Sequence, residues 1–202
     1  MITLVDYGLG NIQAFANIYK HLGIDYAIAQ EPECLMKASR LVLPGVGAFD
    51  WAMQRLEASG MRSVLDDLVL NWKVPVLGIC VGMQMMASSS EEGQLAGLGW
   101  IRGEIKRFDT RLFSSKTSLP HMGWNDIHPS DHALFDGISS PRFYFLHSYF
   151  FSPESPEQIL AEAHYGQPFS AAIGCKHVLG VQFHPEKSHH CGIQLLKNFA
   201  QL

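Results

Sequence analysis

The chain has 202 residues, 47% of them hydrophobic, and carries 15 Lys and Arg against 19 Asp and Glu, a formal net charge of -4 at pH 7. That length fits one well-buried domain, read as 1–202, and excludes two large ones. Balanced charge without acidic or basic runs excludes a disordered chain and a nucleic-acid surface.

At the start of the chain, MITLVDYGLGNIQ has neither the basic lead-in nor the small-residue cleavage site of an export signal. No apolar stretch approaches the roughly 20 residues that span a bilayer, so a soluble, cytoplasmic protein without membrane contact is expected. Short aliphatic runs bounded by Gly, Pro or Asp follow at 2–7 (ITLVDY), 25–29 (DYAIA), 40–45 (RLVLPG) and 74–80 (VPVLGIC). These have the pattern of strands buried on both faces. Helical spacing separates them: Ile12, Phe15, Ala16 and Tyr19 before Gly23, then Met53, Leu56, Met61, Val64, Leu65 and Leu68 before Asn71. Alternating β and α elements predict an α/β fold, with a mainly parallel central sheet flanked by helices and joined by right-handed crossovers. Aromatic segments at 103–108, 142–151 and 159–165, with turn signals such as HPSDH, predict an antiparallel C-terminal portion of that sheet. Segments 170–175 and 178–185, separated by Lys176-His177, read as a hairpin. A helix over 189–201 that buries Ile193, Leu195, Leu196 and Phe199 ends the chain. Cys34, Cys80, Cys175 and Cys191 form no C-x-x-C pair and are expected as free thiols.

The sharpest local signal is Gly78-Ile79-Cys80-Val81-Gly82, which ends an apolar strand and opens a helix-like stretch, MQMMASSS, as a G-x-nucleophile-x-G elbow. Such a turn strains the nucleophile's backbone and brings helix and strand close together, so a glycine on each side has a reason. Free N–H groups at a helix start favour a thiolate. A buried cysteine between two chance glycines is the competing reading. A thiol nucleophile needs a base, and the base an orienting group. Phe183-His184-Pro185-Glu186 stands where a strand gives way to the last helix, so His184 and Glu186 could complete a Cys-His-Glu triad. Taken alone, the same four residues also fit an ordinary strand end. Acyl chemistry further needs N–H donors for the developing oxyanion. Val81 offers one, and the loop Pro44-Gly45-Val46-Gly47 a second, unless that loop is a plain strand-to-helix turn. All three loops fall at C-terminal strand ends, where open α/β sheets place their sites.

With these residues in view, the chain resembles class I, triad-type glutamine amidotransferases, most closely the glutaminase subunits of imidazole glycerol phosphate synthase in histidine biosynthesis. Matching segments are DYGLGN at 6–11, LPGVGAF at 43–49, GICVGMQ at 78–84, EGQLAGLGWIRGEIKRF at 92–108, PHMGWN at 120–125, FYFLHSY at 143–149 and GVQFHPEKSHHCGIQLLKNF at 180–199. The resemblance implies a triad of Cys80, His184 and Glu186 and an oxyanion hole from Val46, Gly47 and Val81. It implies a glutamine site at Gly45, Gln84, His147, Ser148 and Tyr149. Gln84 falls one turn after Cys80 on the same helix face; an exposed polar residue is as compatible with its place, and an ordinary sheet aromatic with that of Tyr149.

The activity implied is hydrolysis of L-glutamine to glutamate and ammonia, without cofactor or metal. The ammonia would pass to a (β/α)8 barrel cyclase subunit of a heterodimer, met through Met122, Trp124 and Asn125; a buried tryptophan is the alternative for Trp124. Two departures from the histidine-pathway pattern, Ile12-Gln13-Ala14-Phe15 and Val81, resemble paralogous subunits that feed a sugar amidotransferase in surface-polysaccharide biosynthesis. A non-catalytic regulatory module with this fold is a further alternative, against which the intact triad stands. Cys175, His177, His189, His190 and Cys191 gather near the C-terminus without paired zinc spacing, and read as surface residues rather than a metal site.

Overall fold

The computed structural model describes residues 1–115 and 117–202. The four N-terminal apolar runs form β1 (Ile2–Val5), β2 (Tyr26–Ala29), β3 (Arg40–Gly45) and β4 (Val76–Cys80). They lie parallel in the order β2-β1-β3-β4. β1 and β4 are buried at every residue, and β3 at all but its first. Covering such strands takes an amphipathic helix, and α1 (Ile12–His21) is one. Its start is fixed by the Asn11 side chain, which accepts the Ala14 N–H, and it buries Phe15, Ala16 and Tyr19.

The spacing from Met53 to Leu68 predicts one helical run. The chain instead divides it into α3 (Phe49–Ala58), α4 (Arg62–Asp66) and a π-turn at Asp67–Asn71, while a short α2 (Pro32–Leu35) joins β2 to β3. Gly60, at φ +72°, stops α3 in a left-handed step that only glycine takes without strain.

In the second half, the segment 142–151 is two strands rather than one. β9 (Arg142–His147) pairs antiparallel with β7 (His121–Asp126) as a separate two-stranded sheet, while β10 (Tyr149–Pro153) joins the main sheet beside β6 (Gly103–Arg107). Ser148 is the single residue at which the chain changes sheets. In β9 Phe143, Phe145 and His147 turn inward and Leu146 outward, a strand covered on one face. The short strands β5 (Ser89–Ser90) and β8 (His128–Pro129) extend the edges of the main sheet, which has eleven strands among the described residues.

The hairpin of β12 (Gln167–Cys175) and β13 (Val178–Val181) turns at Lys176-His177 as expected. β12 starts three residues early because Gln167, Pro168 and Phe169 pair with the end of β11 (Ile159–Tyr165). The pairing that matters most is β13 with β4, parallel, from Val178 opposite Val76 to Val181 opposite Ile79. Two strands a hundred residues apart in sequence thus point their C-terminal ends the same way. The last helix, α6 (His189–Gln201), buries Leu195, Leu196 and Phe199, leaves Ile193 half-buried, and packs on α1 through Tyr19, whose hydroxyl donates to the Leu196 carbonyl.

Candidate active site

Cys80 closes β4 at φ 54° and ψ -113°, a backbone region that L-residues occupy only when the surroundings force it. The helix it opens, α5 (Val81–Gln84), is one turn, not the longer stretch MQMMASSS. Glycines make the elbow possible. A methyl group on Gly78 would stand 2.7 Å from Met86 Cε and 2.8 Å from the Gly82 carbonyl oxygen; one on Gly82 would stand 1.9 Å from the Leu43 carbonyl oxygen. A single turn has little macrodipole, so electrostatic support for the sulfur must come from side chains.

His184 and Glu186 supply it. The strand expected to run to 185 ends at Val181; the chain bends at Gln182 and Phe183 and reaches His184, whose N–H donates to the Tyr144 carbonyl at 2.8 Å. Pro185–Lys187 then make one tight 3-10 turn. That turn carries the Glu186 carboxylate back to the imidazole, Nδ1 to Oε1 2.8 Å, with both side chains almost fully buried. Ser188 locks the turn, donating to the His184 carbonyl at 2.6 Å and accepting the Tyr144 N–H at 3.0 Å. Phe183 stacks on Phe143 with centroids 3.9 Å apart, tying the small sheet to this segment; such pairs contribute about 0.5–1.5 kcal/mol beyond area burial. Burial alone would lower the His184 pKa, but the hydrogen bonds and charges of Cys80 and Glu186 more than reverse this and push it up to about 10. An imidazolium beside the sulfur is what a thiolate nucleophile requires.

Cys80 and His184 open onto a cleft of about 320 Å³, also lined by Val46, Gly47, Val81, Gln84, His147, Ser148 and Tyr149. Of the residues expected to touch substrate, Gly45 is outside this lining. It is buried against α5, where a methyl group on it would stand 2.4 Å from the Gly82 nitrogen. The loop that follows is anchored by Tyr7, whose hydroxyl donates to the Pro44 carbonyl at 2.8 Å. Gly47 takes φ +88°, the left-handed step that turns the loop into α3. His147 lines the cleft, but Tyr149 and His121 already engage both of its ring nitrogens.

Sequence reading passes over two residues of this site. Gln182 is fully buried; its Nε2 reaches toward Cys80 Sγ at 3.8 Å and its Oε1 accepts from Gln84 Nε2 at 3.0 Å. The signal was present, because in the strand expected over 178–185 a polar residue two before His184 shares its face. Glu92 is the carboxylate of the cleft wall, with Oε2 accepting the Phe49 N–H at 2.9 Å. Its loop is clamped by Asp50, whose oxygens accept the N–H groups of Gln94 and Leu95 at 2.9–3.1 Å. Nothing local marks Glu92, since its neighbours at the start of α3 lie forty residues away.

The expected partner face divides by strand alternation. Met122 and Trp124 are 65% and 40% exposed on the outer face of β7, so Trp124 is not a buried tryptophan. Asn125 turns inward to His121 and the His164 carbonyl. The cysteines and histidines near the C-terminus are dispersed. Cys175 and His177 lie at the hairpin turn, beyond the N-terminal end of β13, while His189, His190 and Cys191 follow its C-terminal end. The described residues contain no group of three that could hold a metal ion.

An open α/β sheet with a cysteine elbow, a histidine–carboxylate pair and a shared cleft defines a glutamine amidotransferase of class I. The chain belongs to that family, described as "Glutamine amidotransferase class-I", with residues 3–201 matched. Among its relatives, the imidazole glycerol phosphate synthase subunit HisH of Bdellovibrio bacteriovorus is 55% identical over 100% of both chains. That of Leptospira interrogans is 47% identical, and subunit HisH 2 of Pseudomonas aeruginosa 46%, again over 100% of both. A crystal structure of a glutamine amidotransferase superposes with a TM-score of 0.76 at 17% identity, covering 100% of this chain and 99% of that one. The structure of PurLQS from Thermotoga maritima gives 0.72 at 14%, covering 99% of this chain and 97% of the matched one. These two likenesses are of fold alone.

Proposed function

We propose that the chain, acting as one domain, is the glutaminase subunit of an imidazole glycerol phosphate synthase and hydrolyses L-glutamine to glutamate and ammonia for a cyclase partner. The observation that carries the chemistry is the His184–Glu186 pair, 2.8 Å apart and buried, beside a cysteine on a strained elbow. The three relatives above carry the acceptor half of the reading, since each is named as a subunit of that synthase.

The steps follow from the residues. The Cys80 thiolate attacks the side-chain amide carbon of glutamine, and N–H groups of the Val46-Gly47 loop and Val81 receive the oxyanion. His184, protonated at the start, gives its proton to the departing nitrogen; the C–N bond breaks, ammonia leaves and a glutamyl thioester remains. Water, deprotonated by neutral His184, attacks the thioester carbon. The C–S bond then breaks, releasing glutamate and restoring the thiolate beside an imidazolium. Glu186 holds the ring's tautomer throughout. Within the cleft Glu92 is positioned to accept from the substrate's α-ammonium, and the Gln84 amide faces its polar atoms. Ammonia freed into neutral water becomes ammonium and loses its nucleophilic electron pair, which is why transfer to a docked partner is needed. That partner is read as a (β/α)8 barrel meeting the Met122 and Trp124 face in a cytoplasmic heterodimer.

Of the departures, Ile12 and Phe15 pack against the core and Gln13 is exposed on α1, away from the cleft. Val81 lines the cleft beside Cys80, in the half of the site that a sugar acceptor would not reach. They give no support to a sugar acceptor over the synthase named by the relatives. With the cyclase partner present, glutamine-dependent synthesis should yield one glutamate per product, and Cys80→Ala should abolish it while sparing synthesis from added ammonia. Unchanged glutamine-dependent synthesis in Cys80→Ala would remove the cysteine from the mechanism.

A further inference from the structure

We propose that His121 and His147 are positioning residues for the glutamine cleft, forming a buried hydrogen-bond chain of fixed direction that runs from Asn125 to the Tyr149 carbonyl and orients the Gln84 amide. The proposal rests on the glutaminase reading of the cleft.

Direction follows from what each atom can do. His147 Nδ1 lies 2.8 Å from the Tyr149 carbonyl oxygen, which only accepts, so Nδ1 carries the proton. The Nε2 of a neutral ring is then an acceptor, and its partner at 2.9 Å, His121 Nδ1, must donate. His121 Nε2 in turn accepts from Asn125 Nδ2 at 3.4 Å. Asn125 cannot be flipped without loss, because its Nδ2 also donates to the His164 carbonyl at 2.9 Å and its Oδ1 accepts the Asp126 N–H at 2.9 Å.

Both rings must be neutral for this scheme, and their surroundings keep them so. His121 is stacked between Phe145 and Tyr165, with centroids at 4.8 and 4.0 Å, and His147 packs against Phe108 and Phe169 at 5.3 and 5.1 Å. Among the described residues no carboxylate bonds to either ring. Burial lowers the His121 pKa to about 4; burial, then the neighbouring His121, lowers that of His147 to about 3.

The chain ends on the substrate side. The Tyr149 carbonyl takes a second donor, Gln84 Nε2 at 3.0 Å, whose other proton goes to Gln182 Oε1 at 3.0 Å. With both amide protons engaged, Gln84 offers its oxygen to a donor in the cleft. Gln182 is left with its Nε2 toward Cys80 Sγ at 3.8 Å. Moving the His147 proton to Nε2 would set two lone pairs against each other at Tyr149, pushing that carbonyl from its place and with it the acceptor that orients the Gln84 amide. The ring atoms therefore select the tautomer with the proton on Nδ1, the minor tautomer of a solvated neutral histidine side chain.

Long-range proton–nitrogen correlation spectra of the ¹⁵N-labelled protein read this directly. Both rings should show a protonated Nδ1 and a bare Nε2; a protonated Nε2 on His147 would overturn the proposal whatever the variants do. In the assembled synthase, His121→Phe keeps the aromatic stack and deletes the donor, whereas His121→Asn keeps an N–H where Nδ1 stood. We expect His121→Phe to raise KM for glutamine about tenfold with a smaller change in kcat, and His121→Asn to recover most of the loss. Synthesis from added ammonia should be unchanged in both. Equal impairment of the two variants, or a wild-type KM in His121→Phe, would reduce the pair to packing. Absence of glutamine hydrolysis by the wild-type complex would instead sink the glutaminase reading, leaving the spectra to judge the hydrogen-bond chain.

Discussion

The backbones of Gly45 and Gly82 touch: a methyl group on Gly45 would stand 2.4 Å from the Gly82 nitrogen, and one on Gly82 would stand 1.9 Å from the Leu43 carbonyl oxygen. The end of β3, with the loop proposed to supply oxyanion donors, is thereby keyed to the Cys80 elbow. Gly82→Ala should force the two apart, with an overpacking cost of about 1–3 kcal/mol. A displacement of order 1 Å between nucleophile and oxyanion donors should lower kcat on the order of 10²-fold. Thermal unfolding and steady-state kinetics measure both, and an unchanged kcat would show that loop and elbow are independent.

Glu186 and His184 should make stability depend on pH in a definite direction. The folded pKa of His184, about 10, lies above its ordinary 6.5. Stabilisation from that proton is therefore complete below about pH 6.5 and is lost as pH rises toward 10. Glu186→Gln removes one of the groups that raise the pKa. Its stability deficit against wild type should be largest near pH 6 and should shrink as pH 10 is approached, while kcat/KM falls on the order of 10²-fold. Denaturant titrations at three pH values decide it; a deficit that does not change with pH would mean the carboxylate and the ring proton are not coupled.

Tyr7 holds the loop from Pro44 to Gly47, which is proposed to supply the oxyanion donors. Burial, then the charge of Cys80, keeps its phenol protonated well above the usual tyrosine range, so it remains a donor to the Pro44 carbonyl at any working pH. Tyr7→Phe leaves that buried carbonyl unpaired, a loss of about 1–3 kcal/mol in stability. Glutaminase kcat should fall more than KM rises. Comparable losses in hydrolysis and in stability of an unrelated part of the fold, read by hydrogen exchange in α6, would argue for general loosening instead.

Asp50 should act on substrate affinity through Glu92. Its carboxylate accepts the N–H groups of Gln94 and Leu95, and Glu92 is seated on the Phe49 N–H at the start of the same helix. Asp50→Ala should free the loop and raise KM for glutamine about tenfold with kcat nearly kept. The ratio of kcat/KM for glutamine to that for the analogue lacking the α-amino group should collapse toward one. Equal losses on both substrates would detach Asp50 from that subsite.

Met122, 65% exposed beside Trp124, should matter to assembly and not to folding. Met122→Asp is expected to leave the unfolding midpoint of the isolated chain within error and to weaken cyclase binding at least tenfold. Calorimetric titration of one protein with the other provides the number, and wild-type affinity would move the interface elsewhere.

The legible parts of this protein were the local ones. The elbow could be read because a strand, a glycine, a cysteine and a second glycine constrain one another within five residues. His184 and Glu186 could be read because one turn separates them. Period-two alternation in β7 was equally local, yet it assigns Asn125 to the inner face, apart from Met122 and Trp124. Where glycine or serine interrupts a pattern, apolar spacing alone overran: Gly60 divides one expected helix, and Ser148 divides one expected strand between two sheets.

Other features were not marked by any local signal. β13 lies beside β4 because both are buried on two faces in the covered middle of one sheet, a choice made by the summed contacts of the whole sheet. That pairing brings Gln182 to Cys80 across 102 residues. Nothing near His121 in sequence announces His147, and nothing near Glu92 announces Phe49. From the sequence alone came the strained elbow at Cys80 and the His184–Glu186 pair, since sterics and spacing bind near neighbours. The tertiary structure alone decided which buried polar groups meet, because a donor deep in the core must find its acceptor wherever packing brings one.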